Sequence, residues 1–132
     1  MIINFNGTIT DNEQLGFEHI SRAAMYGDAV FETIRVRKGK LLFIEDHYFR
    51  LMASMRIIRI PIPMEFTPEF FVEQAELLAE EVAVENGRLR LQVNRVSKGK
   101  YTPVGAQDCS WWMELEELDT ADYTWSEKGL TV

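Results

Sequence analysis

Cationic and polar side chains fall on one face of each of three segments. In the strand-like segment 30–37, Phe31, Thr33 and Arg35 alternate with their neighbours, so they point to one side of a pleated chain. Segment 88–96 aligns three polar side chains in the same way, and a helical segment spaces three more by three and four residues: Arg90, Gln92 and Asn94, and then His47, Arg50 and Ser54. An arginine offers a planar fork of donors that fits a carboxylate or a phosphate. If the three faces converge, they form a cationic cleft with an aromatic wall for a small anion. The alternative is a solvated surface of an acidic protein.

Other catalytic constellations are missing from the sequence. It has no glycine-rich phosphate loop, no pair of close cysteines and no serine in a nucleophile elbow. His19 and His47 are too far apart in sequence to indicate a metal site. Cys109 has no neighbour that would stabilise a thiolate. We therefore predict neither a metal centre nor a cysteine nucleophile.

The composition is that of one globular domain. The 132 residues are 46% hydrophobic and 27% charged, which rules out global disorder. An excess of 21 acidic over 14 basic residues gives a net charge of -7, which argues against nucleic acid as a partner. No apolar run approaches the ~20 residues of a spanning helix, so no membrane partner is expected. A single cysteine and the lack of a signal-peptide pattern favour the cytoplasm.

Strands and tight turns are predicted at both ends of the chain. Residues 2–10 alternate around Asn6-Gly7, a dipeptide typical of two-residue turns, and residues 30–44 alternate around Lys38-Gly39. The polar residues 11–24 between these hairpins are interpreted as a connection. Further strands are predicted at 88–96 and 110–118. In the second of these, two sets of side chains alternate: Trp111, Met113 and Leu115 against Trp112, Glu114 and Glu116.

Two consecutive helices are predicted between these strands. The first follows from apolar residues at helical spacing and from two prolines that stop it: Ile44, Tyr48, Leu51, Met55 and Ile58, then Pro61 and Pro63. The second begins with Thr67 as N-cap and Pro68 behind it, and Asn86-Gly87 is expected to end it. Grouped strands and consecutive helices indicate an α+β domain, an antiparallel sheet of hairpins with both helices on one side. We assign this domain residues 1–120, and interpret 121–132 as the start of a strand or a linker leading to an absent C-terminal domain.

Two motifs give the chain a family resemblance. Residues 27–32 read Gly-Asp-Ala-Val-Phe-Glu, and residues 47–51 read His-Tyr-Phe-Arg-Leu. In type and spacing they closely resemble the G-D-x-x-F/Y-E strand and the H-x-x-R-L helix of the fold-type IV (class IV) pyridoxal-phosphate enzymes. That family includes branched-chain aminotransferases, D-amino-acid aminotransferases and aminodeoxychorismate lyase. The resemblance covers most of residues 1–118 and implies the small N-terminal domain of such an enzyme.

The resemblance also implies roles for individual residues. In the family the arginine of H-x-x-R-L holds the cofactor phosphate, which gives that role to Arg50. The matching strand lines the substrate pocket, here with Phe31, Thr33 and Arg35. Arg90 corresponds to a pocket position that receives a substrate carboxylate, with a surface salt bridge as the alternative.

Four more residues border this site or support it. His47 either braces the start of its helix or reaches the site directly. Lys100 and Tyr101 are expected at the mouth of the pocket. Glu32 falls on the otherwise apolar face of its strand, where an ionised carboxylate needs partners. We therefore expect Glu32 to be structural and held by hydrogen bonds.

The sequence departs from the family at the catalytic lysine. Pyridoxal chemistry needs a lysine that forms a Schiff base with the cofactor, and an acid near the pyridine nitrogen. In the family both come from the C-terminal domain, and no lysine of this chain matches: Lys38, Lys40, Lys98, Lys100 and Lys128. We therefore expect roughly half an enzyme, with no catalytic residue, no activity and no bound cofactor of its own. The complete enzyme would be a homodimer that uses pyridoxal 5′-phosphate on a small amino acid or keto acid.

The resemblance leaves the reaction open. Aminotransferases and the lyase share this half of the molecule. The lyase type has an arginine just before its G-Y segment, whereas residues 98–101 here read Lys-Gly-Lys-Tyr, which counts against the lyase. Two alternatives are not enzymes: a non-catalytic single domain that binds a small anion, and an interaction module that uses exposed Trp111, Trp112 and Trp125.

Overall fold

The computed structural model describes residues 1–14, 23, 26–98, 104–120, 123, 125 and 127–129. Lys100, Tyr101 and His19 lie outside the described residues, and so do most of the connection 11–24 and most of 121–132. The elements follow in this order: β1 (Ile2–Phe5), β2 (Thr8–Asp11), a 3-10 turn (Asn12–Gln14), β3 (Ala29–Arg37), β4 (Lys40–Leu41), α1 (Ile44–Ile57), α2 (Pro68–Val82), β5 (Gly87–Lys98) and β6 (Val104–Glu117).

Six strands form one antiparallel sheet in the order β2-β1-β6-β5-β3-β4. Both helices cover the same face of this sheet, because their buried residues join the alternate residues of β3, β5 and β6 in one core. Ile34, Leu91 and Met113 are members of that core. The predicted α+β class, with two consecutive helices on one side, is confirmed.

Both predicted turns are present. Asn6 and Gly7 have φ values of 49° and 85°, and Lys38 and Gly39 have 49° and 72°. Two successive left-handed residues suit the twist of a hairpin, and glycine adopts the second of them without a Cβ clash. The second hairpin is shorter than predicted, because β4 ends at Leu41 and the chain enters α1 at Ile44.

The first helix packs as its apolar spacing predicts. Leu51 and Met55 are buried, and Ile44, Tyr48 and Ile58 pack half-buried against the core.

A buried arginine binds the carbonyl groups at the carboxyl end of α1. The buried Arg95 of β5 donates from Nη1 to the Arg59 carbonyl at 2.7 Å and from Nη2 to the Ile58 carbonyl. The Arg95 Nε also donates to both oxygens of Asp28, at 3.1 and 3.0 Å. This cation compensates the negative end of the helix dipole.

The second helix begins as predicted and ends earlier. The Thr67 hydroxyl accepts a hydrogen bond from the Phe70 amide at 3.1 Å, which confirms the N-cap. The predicted stop at Asn86-Gly87 is wrong, because the helix ends at Val82 and Ala83 takes the left-handed C-cap conformation, φ 54°. Gly87 is instead the first residue of β5. A Cβ there would lie 2.5 Å from the Glu116 carbonyl oxygen, so only glycine fits against β6.

The three tryptophans do not form one exposed surface. Trp111 is buried in an aromatic cluster, with its ring centroid 5.5 Å from that of Phe70 and 6.5 Å from that of Phe66. Trp112 is half-buried on the other face of the sheet, and Trp125 is 97% exposed. The alternative that all three tryptophans make external contacts is therefore wrong. Neither helix of the described part of the chain is long and apolar enough to cross a membrane.

Candidate functional site

The face of the sheet opposite the helices carries the polar side chains of β3, β5 and β6 in register. Thr33 lies beside Arg90, and Arg90 beside Glu114. The next row is Phe31, Gln92 and Trp112, and the row after it pairs Asn94 with Ser110. We call this surface the open face. Its members are predicted by alternation within each strand, but their alignment into rows follows from the strand register.

Arg90 is the centre of the open face. Its guanidinium carbon lies 4.5 Å from the Phe31 ring centroid and 5.8 Å from that of Trp112, so two aromatic rings flank one cation. Arg90 Nη2 donates to Gln92 Oε1 at 3.0 Å, and Gln92 Nε2 donates to Asn94 Oδ1 at 2.8 Å. This chain of hydrogen bonds fixes the guanidinium plane. Among the predicted pocket residues, the structure thus brings Phe31, Thr33 and Arg90 together.

Unsatisfied polar atoms cluster on the open face. Within the described part of the chain, six buried side-chain polar atoms have no hydrogen-bond partner, and five of them lie here: Arg35 Nε, Arg90 Nε, Asn94 Nδ2, Ser110 Oγ and Trp112 Nε1. The sixth is Asn4 Oδ1. A buried donor without an acceptor costs about 1–3 kcal/mol. All five groups can donate, so the open face is suited to an acceptor-rich group such as a carboxylate.

Arg35 and Arg88 lie towards one end of the open face and have other partners. Arg35 Nη2 donates to the Thr120 carbonyl, and its guanidinium carbon lies 5.6 Å from the Tyr123 ring. Arg88 forms an exposed ion pair with Glu116, with 2.5 Å between Nη2 and Oε2. Thr120 and Tyr123, which follow β6, therefore contact part of the Arg35 guanidinium.

A second polar cluster lies on the helix-covered face of the same strand. The Glu32 carboxylate accepts from Arg50 Nε at 2.8 Å and from Arg50 Nη2 at 2.5 Å. His47 Nδ1 lies 2.7 Å from Glu32 Oε2. The Glu32 side chain is 6% exposed, whereas that of Arg50 is 64% exposed. The expectation that hydrogen bonds hold Glu32 is confirmed, and we call these three residues the Glu32 cluster.

Hydrogen bonding determines the charge state of the Glu32 cluster. Burial alone would raise the pKa of Glu32, but the hydrogen bonds from Arg50 and His47 outweigh it, so this pKa lies below its ordinary value. The same pairing raises the pKa of Arg50. The ionised Glu32 carboxylate can only accept, so its 2.7 Å contact with His47 Nδ1 requires a proton on Nδ1, which donates to Glu32. Arg50 Nη2, 3.1 Å from the same nitrogen, is also a donor and therefore forms no hydrogen bond with it.

The structure does not bring Arg50 onto the face of Phe31 and Thr33. Glu32, Arg50's partner, points to the opposite side of β3, as the pleat requires. The expected convergence of the helix and strand faces into one concavity is therefore wrong. The open face and the Glu32 cluster instead lie on opposite faces of β3, beside the same free edge of that strand. In the described chain, β4 pairs with β3 only at Val36 and Arg37, so residues 29–34 have no strand partner on that side.

Two features of these sites are not visible in the sequence. Trp112 lies beside Arg90 because of the β5–β6 register, and Arg50 reaches Glu32 because α1 packs on β3.

Cys109 is half-buried, and burial raises the pKa of its thiol to about 11, which keeps it protonated and unreactive. No group of three metal-ligating side chains occurs among the residues that the structure describes.

Comparison with known proteins gives a consistent result. The family model described as Amino-transferase class IV matches residues 29–132. The chain is 29% identical to a D-alanine aminotransferase of Staphylococcus epidermidis over 90 residues, which are 68% of this chain and 31% of that protein. It is 30% identical to a D-alanine aminotransferase of Listeria monocytogenes over 95 residues, 72% of this chain and 32% of that protein.

Solved structures share the fold. The branched-chain amino acid aminotransferase of Escherichia coli superposes with a TM-score of 0.77 at 20% identity, over 89% of this chain and 40% of that one. The enzyme of Thermobaculum terrenum in its PLP form gives 0.72 at 21% identity, over 90% of this chain and 40% of that one. The chain thus spans about a third of the curated relatives' length. The match to the family model covers most of the chain and includes both the β3 strand and the α1 helix, so the chain belongs to the class IV amino-transferase family.

Proposed function

We propose that this chain forms the phosphate-binding and substrate-binding wall of a pyridoxal-phosphate-dependent aminotransferase that acts on a small amino acid or keto acid. Family membership supports the reaction class, and the related D-alanine aminotransferases favour an aminotransferase over the lyase. The observation that carries the proposal is the Glu32 cluster, in which a buried carboxylate holds an exposed arginine in one orientation.

The geometry of Arg50 fits a phosphate. Glu32 grips the Nε and Nη2 edge of the guanidinium, and no hydrogen bond from Nη1 occurs among the described residues. The remaining donors of a fork held on one edge are available to an anion. Glu32 offsets part of the attraction because it is itself negative. Because Glu32 already holds the Arg50 side chain in one rotamer, less side-chain entropy is lost when Arg50 binds an anion. Glu32 and His47 thus act as positioning residues for Arg50.

The geometry of Arg90 fits a carboxylate of the substrate. The Phe31 and Trp112 rings take the place of part of the water around the Arg90 guanidinium, which strengthens its attraction for a carboxylate. The unsatisfied donors of Asn94, Ser110 and Trp112 lie along the same strands. A ligand at the unpaired edge of β3 would meet Arg50 on one side of the strand and the open face on the other.

The bound cofactor supplies the electron sink for transfer of the amino group. Residues of this chain orient it and the substrate, and we propose that they do not complete the reaction alone. None of the described lysines belongs to the open face or the Glu32 cluster: Lys38 lies in the β3–β4 turn, Lys40 begins β4, Lys98 ends β5 and Lys128 lies in the last segment. We propose a second domain that carries the lysine, a homodimer as the active form, and the cytoplasm as its location.

Titration with pyridoxal phosphate tests the role of Arg50. We expect weak binding by the 132-residue chain, seen as changes in amide NMR shifts near α1, and at least tenfold weaker binding in Arg50→Ala. The matched control is Arg56→Ala, an exposed arginine in the same helix. Pyridoxal without its phosphate should bind neither form measurably. Equal affinity of the chain and Arg50→Ala for pyridoxal phosphate would contradict the assignment.

A further inference from the structure

Two successive pairs of arginine and glutamate face each other across β5 and β6 on the open face. Arg88 lies opposite Glu116, and Arg90 lies opposite Glu114. The first pair closes into an ion pair, with 2.5 Å between Arg88 Nη2 and Glu116 Oε2. The second pair stays open. Within the described part of the chain, the half-buried Glu114 carboxylate forms neither an ion pair nor a hydrogen bond.

Arg90 is drawn away from Glu114 by the neighbouring row of side chains. Its guanidinium donates to Gln92 Oε1 at 3.0 Å and lies beside the rings of Phe31 and Trp112. These three residues form the row next to that of Arg90 and Glu114. Successive rows on one face of a sheet are ~7 Å apart along the strands. The cation and the carboxylate are therefore separated by about one row, and the half-buried carboxylate is left in an unfavourable state.

These two charges favour a ligand with opposite charges at its two ends. Arg90 offers donors to a carboxylate, and Glu114 offers acceptors to a cation. An acidic group near Glu114 would be repelled, and an apolar group there would leave the carboxylate without a partner. Asn94 and Ser110, which are 1% and 5% exposed on the same face, also have donors without acceptors. These buried donors support the open face as a ligand site.

We propose that Glu114 is a specificity-determining residue, which selects amino acids or keto acids whose side chain ends in a positively charged group. Arg90 holds the carboxylate of such a substrate, and Glu114 binds the cationic end of its side chain. An extended chain of about five carbons spans a distance of this order. The inference rests on the proposed function of Arg90 and adds the class of substrate, which is basic rather than apolar or acidic.

Three acids of five carbons test the role of Glu114 in the 132-residue chain. The ammonium group of 5-aminopentanoate is at the far end, that of norvaline is beside the carboxylate, and pentanoate has none. In NMR titrations at low salt, 5-aminopentanoate should bind about threefold or more tightly than the other two. Equal affinity for 5-aminopentanoate and pentanoate would overturn the proposal. An equal gain for norvaline would also overturn it, because Glu114 would then bind the α-amino group.

Two substitutions of Glu114 and a matched control sharpen the test. Glu114→Gln should abolish the preference, because 5-aminopentanoate loses its partner and pentanoate loses a nearby like charge. Glu114→Lys should reverse it. The control Glu116→Gln, on the same face of the same strand, should keep the preference of the unchanged chain. The amide spectra of the variants check that they fold. A preference for 5-aminopentanoate that survives in Glu114→Lys would rule out the role of Glu114.

Arg90→Gln separates this inference from the function on which it rests. The substitution should weaken the binding of all three acids, because their carboxylate loses its partner. Undiminished binding of pentanoate in this variant, or no binding of any of the acids to the unchanged chain, would contradict the proposed function of Arg90 and the inference with it. Pentanoate binding that depends on Arg90, without a preference for 5-aminopentanoate, would contradict the inference alone.

Discussion

The carboxylate of Glu32 accepts two hydrogen bonds from one edge of the Arg50 guanidinium, at 2.8 Å from Nε and 2.5 Å from Nη2. These residues belong to the strand motif at 27–32 and the helix motif at 47–51. In space the two motifs are one unit, because the first supplies the buried acid that orients the arginine of the second. The same unit joins α1 to β3 beside the unpaired edge.

Replacing Glu32 tests this unit. Glu32→Ala leaves the His47 N–H without its acceptor and removes both hydrogen bonds from Arg50, so we expect unfolding to become easier by about 1–3 kcal/mol. Urea denaturation measures the change. The control is Glu69→Ala, at an exposed position in the first turn of α2. A loss no larger than that of the control would contradict the assigned role of Glu32.

The stability contributed by Glu32 depends on pH. Its pKa is lowered from the ordinary 4.5, so the folded state favours the ionised form. The stabilisation is therefore complete above the ordinary pKa and is lost as the pH falls below 4.5 through the folded-state pKa. The difference in free energy of unfolding between the chain and Glu32→Gln should shrink from pH 6 to pH 3. A difference that stays constant or grows on acidification would contradict the lowered pKa.

Arg95 should be among the most sensitive positions of the fold. Its buried guanidinium donates to Asp28 and to the two carbonyls that follow α1, so Arg95→Met removes a partner from one carboxylate and two carbonyl groups. We expect a loss of about 3–5 kcal/mol in the free energy of unfolding. Arg88→Met, which breaks an exposed ion pair with Glu116, should change it by less than about 1 kcal/mol. Similar losses in the two variants would show that burial does not distinguish the two ion pairs.

Two substitutions after α2 should have opposite effects. Gly87→Ala places a Cβ 2.5 Å from the Glu116 carbonyl oxygen and 2.9 Å from Leu115 Cδ1, and we expect a destabilisation of about 1–3 kcal/mol. Ala83→Gly relieves a left-handed residue at the helix end, φ 54°, and should raise the melting temperature by a few degrees. Thermal denaturation measures both. Stabilisation by Gly87→Ala would show that β5 and β6 separate freely there.

The aromatic walls of Arg90 should tune its affinity for carboxylates. Phe31→Ala opens one side of the guanidinium to water, so a dicarboxylate such as glutarate should bind several-fold more weakly than to the unchanged chain. Arg90→Gln should abolish the binding. Arg88→Gln, on the same face of the same strand, serves as the control. Unaltered glutarate titrations in Arg90→Gln, followed by NMR, would exclude Arg90 as the carboxylate site.

Local patterns in the sequence are enough to predict most helices and strands and the face of the sheet on which each strand residue lies. Alternation predicts which residues of β3, β5 and β6 point away from the helices, because the pleat has a period of two wherever a strand lies. The N-cap Thr67 and the turn at Asn6-Gly7 are equally local. The predicted end of α2 at Asn86-Gly87 is wrong, because a left-handed alanine ends the helix earlier and the glycine instead fits against β6.

The α+β class, the polar faces of β3 and β5 and the family motifs can be predicted without coordinates, since each depends on residues close together along the chain. The contact of Arg50 with Glu32 behind the strand, and the placing of Trp112 and Phe31 around Arg90, became visible in the folded chain. Those relationships depend on how α1 packs on β3 and on the register of β5 with β6. Packing and register are set by the whole buried core, which no short stretch of sequence contains.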